Sequence, residues 1–431
     1  MSERIRKQGS FVMNATESYK DYRKYLILNM IYHFQPVSRT RLVELTNFQP
    51  AIVTALVKDL VDMGYVMETG KSSNKFGRKR VLLEINKQHF LTILVSFSAE
   101  NISYSVLQLD GTIRKVENVP FDLGCDRKAL VSDIVSHISA CIEAYPGSVI
   151  AGTALCDPLY NSPAYFQSDS PTSSYTKTLD WIANEVMPEI ERLIPRPVRL
   201  FSPVTLPALS EKRYGQAVGY DNFICVELSN GIGSSFCVNG QVLSGNTGSA
   251  GEIGHTVVNA HGAGDRICYC GKAGCLETYA SFPVIVREIE KAIDNGTYSR
   301  LQPLRERGVK LTAKMLGQAI EENDQLTIHF VKKAAELIGI AIANEVNLLN
   351  PKLVILFGFM LDLGDYFLQK LEESIRENVL SFSADFEIRV SHSLGQYLPL
   401  GAADEVFSDF FHMEDFRWVY KLAMEPEAMD E

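Results

Sequence analysis

Residues 251–277, GEIGHTVVNAHGAGDRICYCGKAGCLE, decide how the rest of the chain is read. Three of the chain's eight cysteines, Cys268, Cys270 and Cys275, fall within eight residues, among glycines, with His255 a dozen residues upstream. Three thiolates and one imidazole at this spacing can close on a single tetrahedral zinc ion, and Gly271 and Gly274 let the backbone turn tightly enough to aim the sulfurs inward. A surface loop with idle thiols is the alternative, but free cysteines are usually buried singly rather than clustered in a glycine-rich loop. His261, inside the same loop, is a second imidazole that could replace His255.

Two carboxylates flank the cluster: Glu252 three residues before His255 and Glu277 two residues after Cys275. A metal that pins the loop holds both near one point, where paired carboxylates can accept hydrogen bonds from the neighbouring hydroxyls of a polyol. The expectation is a sugar site of Glu252, His255 and Glu277 beside a structural Zn2+. The run Gly251-Glu252-Ile253-Gly254-His255, followed by Cys268-x-Cys270-Gly271-x-x-Gly274-Cys275-x-Glu277, resembles the signature of the ROK family, which contains sugar kinases and sugar-responsive repressors.

With 431 residues the chain is too long for one core, and it has apolar content enough for two or three domains. It has no run of about 18 apolar residues, and its start lacks a hydrophobic signal core, so a soluble cytoplasmic protein without membrane contact is expected. Residues 1–86 carry 14 Lys and Arg against 8 Asp and Glu, a net of +6, which leaves −16 for the remainder of a chain whose total is −10. A basic head on an acidic body implies that only the head meets a polyanion.

In that head, Tyr22, Leu26, Ile27, Met30 and Ile31 recur at helical spacing over residues 18–34. Ser38 is placed to cap a second helix over 39–46, and Pro50 to begin a third that runs to 64. Strands at 65–68 and 81–85 then flank a basic loop, and three helices plus a hairpin make a winged helix-turn-helix. Lys75, Arg78, Lys79 and Arg80 in the wing are set to neutralise phosphates, with Arg78 able to enter a narrow minor groove. The third helix presents Gln49, Ala51, Ile52, Thr54 and Ala55 near its start. These small or apolar residues suit thymine methyl groups better than guanine edges, so an A·T-rich double-stranded operator is expected. Residues 37–86 also resemble the DNA-binding head of the ROK repressors.

Beyond residue 86 the pattern turns to sheet, with strands at 90–98, 102–109 and 112–119, a helix near 127–144 and a buried strand at 148–155. A comparable series recurs at 222–228, 234–238 and 241–243. Two such units suggest a duplicated, two-lobed α/β domain with its ligand between the lobes, and the resemblance implies the actin-like (ribonuclease H-like) ROK fold. Helices follow at 282–295, 312–321, 325–348, 366–377 and 400–411, with strands at 353–357 and 386–390. The resulting division is a head over 1–86, a first lobe over 87–205, a second lobe with the zinc loop over 206–412, and an acidic tail over 413–431. The Pro- and Ser-rich stretch 157–178 has no clear period and reads as a loop over the cleft.

The resemblance sets kinase against sensor. A ROK kinase has an Asp-x-Gly-Gly-Thr hairpin for Mg-ATP, an Asn-Asp pair whose aspartate is the general base, and Gly-Thr-Gly and Gly-Gly loops at the nucleotide. Here those places hold Ser96-Phe97-Ser98-Ala99-Glu100, Ser202-Pro203, Ser229-Asn230-Gly231 and Gly358-Phe359. Proline accepts no proton, and a phenyl ring stands where adenine would lie, so no catalytic residue is assigned. The expectation is a regulator, a repressor of carbohydrate-related genes, acting as a homodimer or tetramer on a pseudo-palindromic operator. Its effector is a sugar or sugar derivative, with a protein partner or no inducer as the other readings. An ATP-dependent sugar kinase and a scaffold with a vestigial head are the competing functions.

Overall fold

The computed structural model describes residues 19–71, 80–97, 101–120, 127–156, 182–193, 198–201, 205–246, 250–259, 267–268, 270–392 and 394–411. The expected wing residues Lys75, Arg78 and Lys79, the positions 98–100 and 202–203, the stretch 157–178, His261 and the tail 413–431 lie outside the described residues.

The head is built from α1 (Tyr19–Phe34), β1 (Val37–Ser38), α2 (Arg39–Thr46), α3 (Pro50–Asp62), β2 (Val66–Lys71) and β3 (Val81–Ile85). The Ser38 hydroxyl accepts from the Arg41 amide at 3.3 Å, the capping expected of it. Asn47 ends α2 in a left-handed conformation, φ 52°, which asparagine tolerates. β1, beneath the helix break at Pro36, completes an antiparallel sheet of order β1-β3-β2. Val53, Leu56, Val57 and Leu60 form the buried stripe of α3.

Two five-stranded sheets follow. The first contains β4 (Phe90–Phe97), β5 (Asn101–Gln108), β6 (Ile113–Pro120), β7 (Val149–Cys156) and β8 (Val198–Phe201) in the order β6-β5-β4-β7-β8. The second contains β9 (Phe223–Leu228), β10 (Ile232–Val238), β11 (Gln241–Val242), β12 (Leu353–Phe357) and β13 (Glu387–Val390) in the order β11-β10-β9-β12-β13. In each, the first three strands form an antiparallel meander, and the fourth and fifth run parallel to the first. This repetition is the duplicated, actin-like two-lobed arrangement. β12, five residues all buried, reads as a continuous apolar run because it is covered on both faces.

Helices cover the sheets: α4 (Arg127–Glu143), α5 (Met187–Leu193) and α6 (Thr205–Tyr214), then α7 (Glu277–Ala280), α8 (Phe282–Asp294), α9 (Gln302–Glu306), α10 (Ala313–Glu321), α11 (Gln325–Leu349) and α12 (Asp365–Asn378). Asp324 caps α11 by accepting from the Thr327 amide at 2.8 Å. The last helix, α13 (Leu394–Phe410), starts six residues before the expected 400 and contains Pro399.

Sequence order places α13 beside the second lobe, yet it packs on β4, β7 and β8 of the first sheet and on α6. Its buried face, Ala402, Ala403, Val406, Phe407, Phe410 and Phe411, merges with Phe90 and with Leu26, Ile27 and Ile31 of α1 into one core. The Tyr25 hydroxyl donates to the Phe410 carbonyl, Tyr32 stacks on Phe411 with centroids 4.1 Å apart, and His33 Nε2 lies 2.9 Å from the Phe411 carbonyl. Arg199 of β8 grips Asp409 of α13 through two nitrogens and lies 3.3 Å from Glu405.

Candidate metal centre and effector site

The site hangs from β10. After β11 the chain returns across it at Gly251, whose carbonyl accepts from the Ser234 amide at 2.8 Å and from the Ser234 hydroxyl at 3.0 Å. Gly251 has φ +98°, and a Cβ there would run into the Ser234 carbonyl, so this crossing admits no side chain. A one-turn 3-10 helix, Ile253–His255, then presents His255. The antiparallel bridge Val257↔Cys275 and the bond from the Cys268 amide to the Lys272 carbonyl, 2.8 Å, fold the cysteine loop back onto that turn. Gly274, φ +86°, is held so close to the Asn259 carbonyl that it too has no room for a Cβ.

The result is one cluster. The ligand atoms of His255, Cys268, Cys270 and Cys275 all lie within 4.8 Å of one another. Cys268 Sγ is 3.4 Å from His255 Nδ1, and Cys270 Sγ is 3.5 Å from Cys275 Sγ. A tetrahedral zinc with bonds of about 2.0–2.3 Å would set its ligand atoms about 3.5–3.8 Å apart, so the donor set and its spacing fit a metal ion. Cys268 and Cys275 are buried, and Cys270 and His255 are half-buried. Burial pushes the Cys275 thiol up to about 11, with Cys270 adding to the shift, and pushes the Cys268 thiol higher still. Burial, with Lys272 nearby, pulls the His255 imidazole below its usual value and favours the neutral ring that a metal needs.

The second nitrogen of His255 faces the carboxylates. Nε2 is 3.7 Å from Glu252 Oε2 and 4.0 Å from Glu277 Oε2. Glu277 opens α7 and is buried, while Glu252 is partly open and its carboxyl is raised by burial. One imidazole therefore stands between the sulfurs on one side and two carboxyl groups on the other, and the structure brings together Glu252, His255, Cys268, Cys270, Cys275 and Glu277.

Two further groups, Ser234 and Glu345, were not legible in advance. The Ser234 hydroxyl also lies 2.6 Å from Glu345 Oε1, a carboxyl on α11 directly behind the Gly251 crossing. Burial pushes Glu345 up to about 8 against the lowering effect of Ser234, and its Oε2 is buried without a hydrogen-bond partner among the described residues. Glu345 sits among the apolar positions of α11, where no motif marks it.

Gly358 precedes Phe359, whose ring stands edge-on to Phe282 with centroids 5.2 Å apart. In the head, Gln49, Ala51, Thr54 and Ala55 are exposed on the first turns of α3 or just before it, and the Thr54 hydroxyl donates to the Pro50 carbonyl at 2.8 Å. Ile52 is half-buried against the head's core rather than open, and Arg80 is exposed at the start of β3.

The sequence profile of the ROK family matches residues 93–405. The xylose repressor of Caldicellulosiruptor bescii is 28% identical over 402 residues, covering 92% of this chain and 98% of that protein. Among solved structures, a ROK family transcriptional regulator described as a homologue of the E. coli MLC protein superposes with a TM-score of 0.69 at 22% identity, covering 93% of this chain and 99% of that one. The ROK hexokinase of Thermus thermophilus superposes with a TM-score of 0.56 at 21% identity, covering 73% of this chain and 97% of that one. With its duplicated lobes, its Cys and His loop and a match across both, this chain belongs to the ROK family.

Proposed function

We propose that the protein is a sugar-responsive transcriptional repressor that binds operator DNA through residues 1–86 and reads a carbohydrate in the cleft beside the metal cluster. The observation that carries this reading is the head itself. Three helices and a three-stranded sheet precede the family domain, and the likeness to the xylose repressor spans nearly the whole of both chains, whereas the hexokinase matches 73% of this one. The head is read as a winged helix-turn-helix with α3 in the major groove, where Gln49, Ala51, Thr54 and Ala55 face base edges. The wing residues Lys75, Arg78, Lys79 and Arg80 contact phosphates, and two heads of a homodimer read a pseudo-palindromic, A·T-rich site. The division at 86, 205 and 412 is retained, with α13 serving the first lobe.

His255, Cys268, Cys270 and Cys275 would hold zinc, which supplies the positive charge that keeps buried thiolates in place and fixes the loop. Every position of a four-coordinate ion is then filled by protein, so its role is structural. His255 turns its other nitrogen to Glu252 and Glu277, and the three together offer one donor or acceptor and two carboxylates to adjacent hydroxyls of a sugar. The Ser202-Pro203 and Gly358-Phe359 replacements speak for a domain without phosphoryl transfer.

The test is a gel shift with the protein's own promoter DNA, with and without D-xylose and a panel of other mono- and disaccharides. Retardation that one sugar relieves supports the reading; its absence at low salt overturns it. Turnover of ATP with any sugar of the panel would establish the kinase reading instead.

A further inference from the structure

The effector groups named above and the head sit on different lobes. Glu252, His255 and Glu277 hang from the second sheet through the Gly251 crossing on Ser234, whereas α1 shares its core with Phe90 of β4 and with α13. A molecule bound beside the cysteine cluster can therefore act on the head only through whatever joins the lobes.

Two helices make that junction. α6 is seated on the second sheet, against β9, β10 and β11, and α13 on the first, against β4, β7 and β8. Among the described residues, α6 against α13 is the one extensive packing between an element seated on one sheet and an element seated on the other. Each helix is tied to its own side. Glu211 of α6, fully buried, accepts from the Gln216 amide at 2.5 Å and from the Ser391 hydroxyl just past β13. Arg199 of β8 holds Asp409 of α13. Between the helices the backbones come close at Gly401, where an added Cβ would run into the Ser210 hydroxyl and stand 3.1 Å from the Ser210 Cβ. One turn further along both helices, Arg213 Nε lies 3.5 Å from Asp404 Oδ2, and the Tyr214 hydroxyl is hydrogen-bonded to the same carboxyl.

We infer that this crossing is the joint through which effector occupancy reaches the head: α6 moves with the effector site, α13 moves with the head, and Gly401 on Ser210 is the pivot. The inference rests on the sugar-responsive reading above and assigns its route. Gly401 lies inside a helix, where glycine is a poor helix former, and it is not among the glycines with positive φ, so what it supplies is space. Packed helices have discrete seatings rather than a continuum of them, because their side chains interdigitate at crystal-like density. A crossing without a side chain lets one helix be reseated on the other with no knob to climb over. Effector binding then has a two-position element to bias, and the head, sharing a core with α13, follows it.

The test pins the crossing. Cβ atoms joined by a disulfide average about 3.8 Å apart, against 3.1 Å here, so Ser210→Cys with Gly401→Cys is set to close one. Gel shifts on the full-length protein give the ratio of promoter affinity without sugar to that with sugar, using D-xylose first and then the other mono- and disaccharides of the panel. The ratio is expected to be at least tenfold for the native chain and for the reduced double variant. It should fall below twofold once the disulfide forms, and reduction should restore it. Native protein under the same oxidant controls for the cysteine loop, and circular dichroism for folding. If the double variant does not fold, Gly401→Ala takes its place, with a ratio lowered at least threefold and restored by adding Ser210→Gly. An oxidised double variant, or Gly401→Ala, that keeps the native ratio overturns the joint and spares the sugar-responsive reading, as does a folded double variant that forms no disulfide. A native chain that no sugar of the panel releases from its promoter removes that reading, and this inference with it.

Discussion

Replacing Glu345 by Gln should make the protein more stable, and increasingly so as the pH rises from 5 to 8. The Ser234 hydroxyl has one proton and two oxygen neighbours, Glu345 Oε1 at 2.6 Å and the Gly251 carbonyl at 3.0 Å. The Gly251 carbonyl already accepts from the Ser234 amide, so the hydroxyl is free to donate to Glu345; that bond favours the ionised carboxyl, and burial outweighs it. Burial raises the carboxyl from 4.5 to about 8 in the folded state. Below 4.5 the group is neutral whether folded or not, and the fold bears no cost. As the pH rises through the interval up to about 8, the folded chain holds a proton the unfolded chain has released, and stability falls by about 1.4 kcal/mol per unit. At pH 7.5 the loss is about 4 kcal/mol, and most of it accrues between pH 5.5 and 7.5. Gln has no proton to lose, and its amide oxygen can still accept from Ser234, so Glu345→Gln escapes this penalty. Urea unfolding followed by circular dichroism at pH 5.5, 6.5, 7.5 and 8.5 would read the difference. A gap between native and variant that is the same at all four values would refute the argument, because it would mean that no proton is taken up at this position.

Cys268→Ser should abolish the metal binding proposed for the cluster or weaken it at least tenfold, read by metal analysis after dialysis against a chelator; an unaltered ion content would remove Cys268 from the ligand set. Gly251→Ala sets a methyl against the Ser234 carbonyl and requires a left-handed alanine, so it should cost about 2–4 kcal/mol and displace Glu252; an unaltered thermal midpoint would show that the crossing relaxes without cost. Asp324→Ala removes the cap of α11 together with the bonds from Ser299 and Arg300, and should cost about 1–2 kcal/mol in urea unfolding. Phe411→Ala removes the ring on which Tyr32 stacks and should cost about 3 kcal/mol, with faster proteolysis of the head as a second readout.

The cysteine loop was legible because its chemistry is local: four candidate ligand residues, one His and three Cys, within 21 residues, with glycines where the chain must turn, leave few other arrangements. The two sheets were legible from the repeated meander, and the head from its stripes and its Ser38 cap. β1 was hidden because two residues beside Pro36 carry no period of their own, and its pairing with β3 is a tertiary event. Pro399 hid the start of α13, since a proline normally marks a helix boundary. Glu345 was hidden for a different reason. Its burial comes from β10 and the loop at Gly251, which are about a hundred residues away in sequence and adjacent only once folded.

The seating of α13 beneath α1 bears on how such regulators can be recombined. Residues 1–86 are continuous in sequence, yet Tyr25, Tyr32 and His33 find their partners at Phe410 and Phe411, so the headpiece is completed by the opposite end of the polypeptide. A chimera that grafts 1–86 alone onto another body would expose Leu26, Ile27 and Ile31 to water, and a graft that folds must bring the closing helix with it. In this chain, head and body would therefore be exchanged as a clasped pair, α1 together with α13, not as beads on a string.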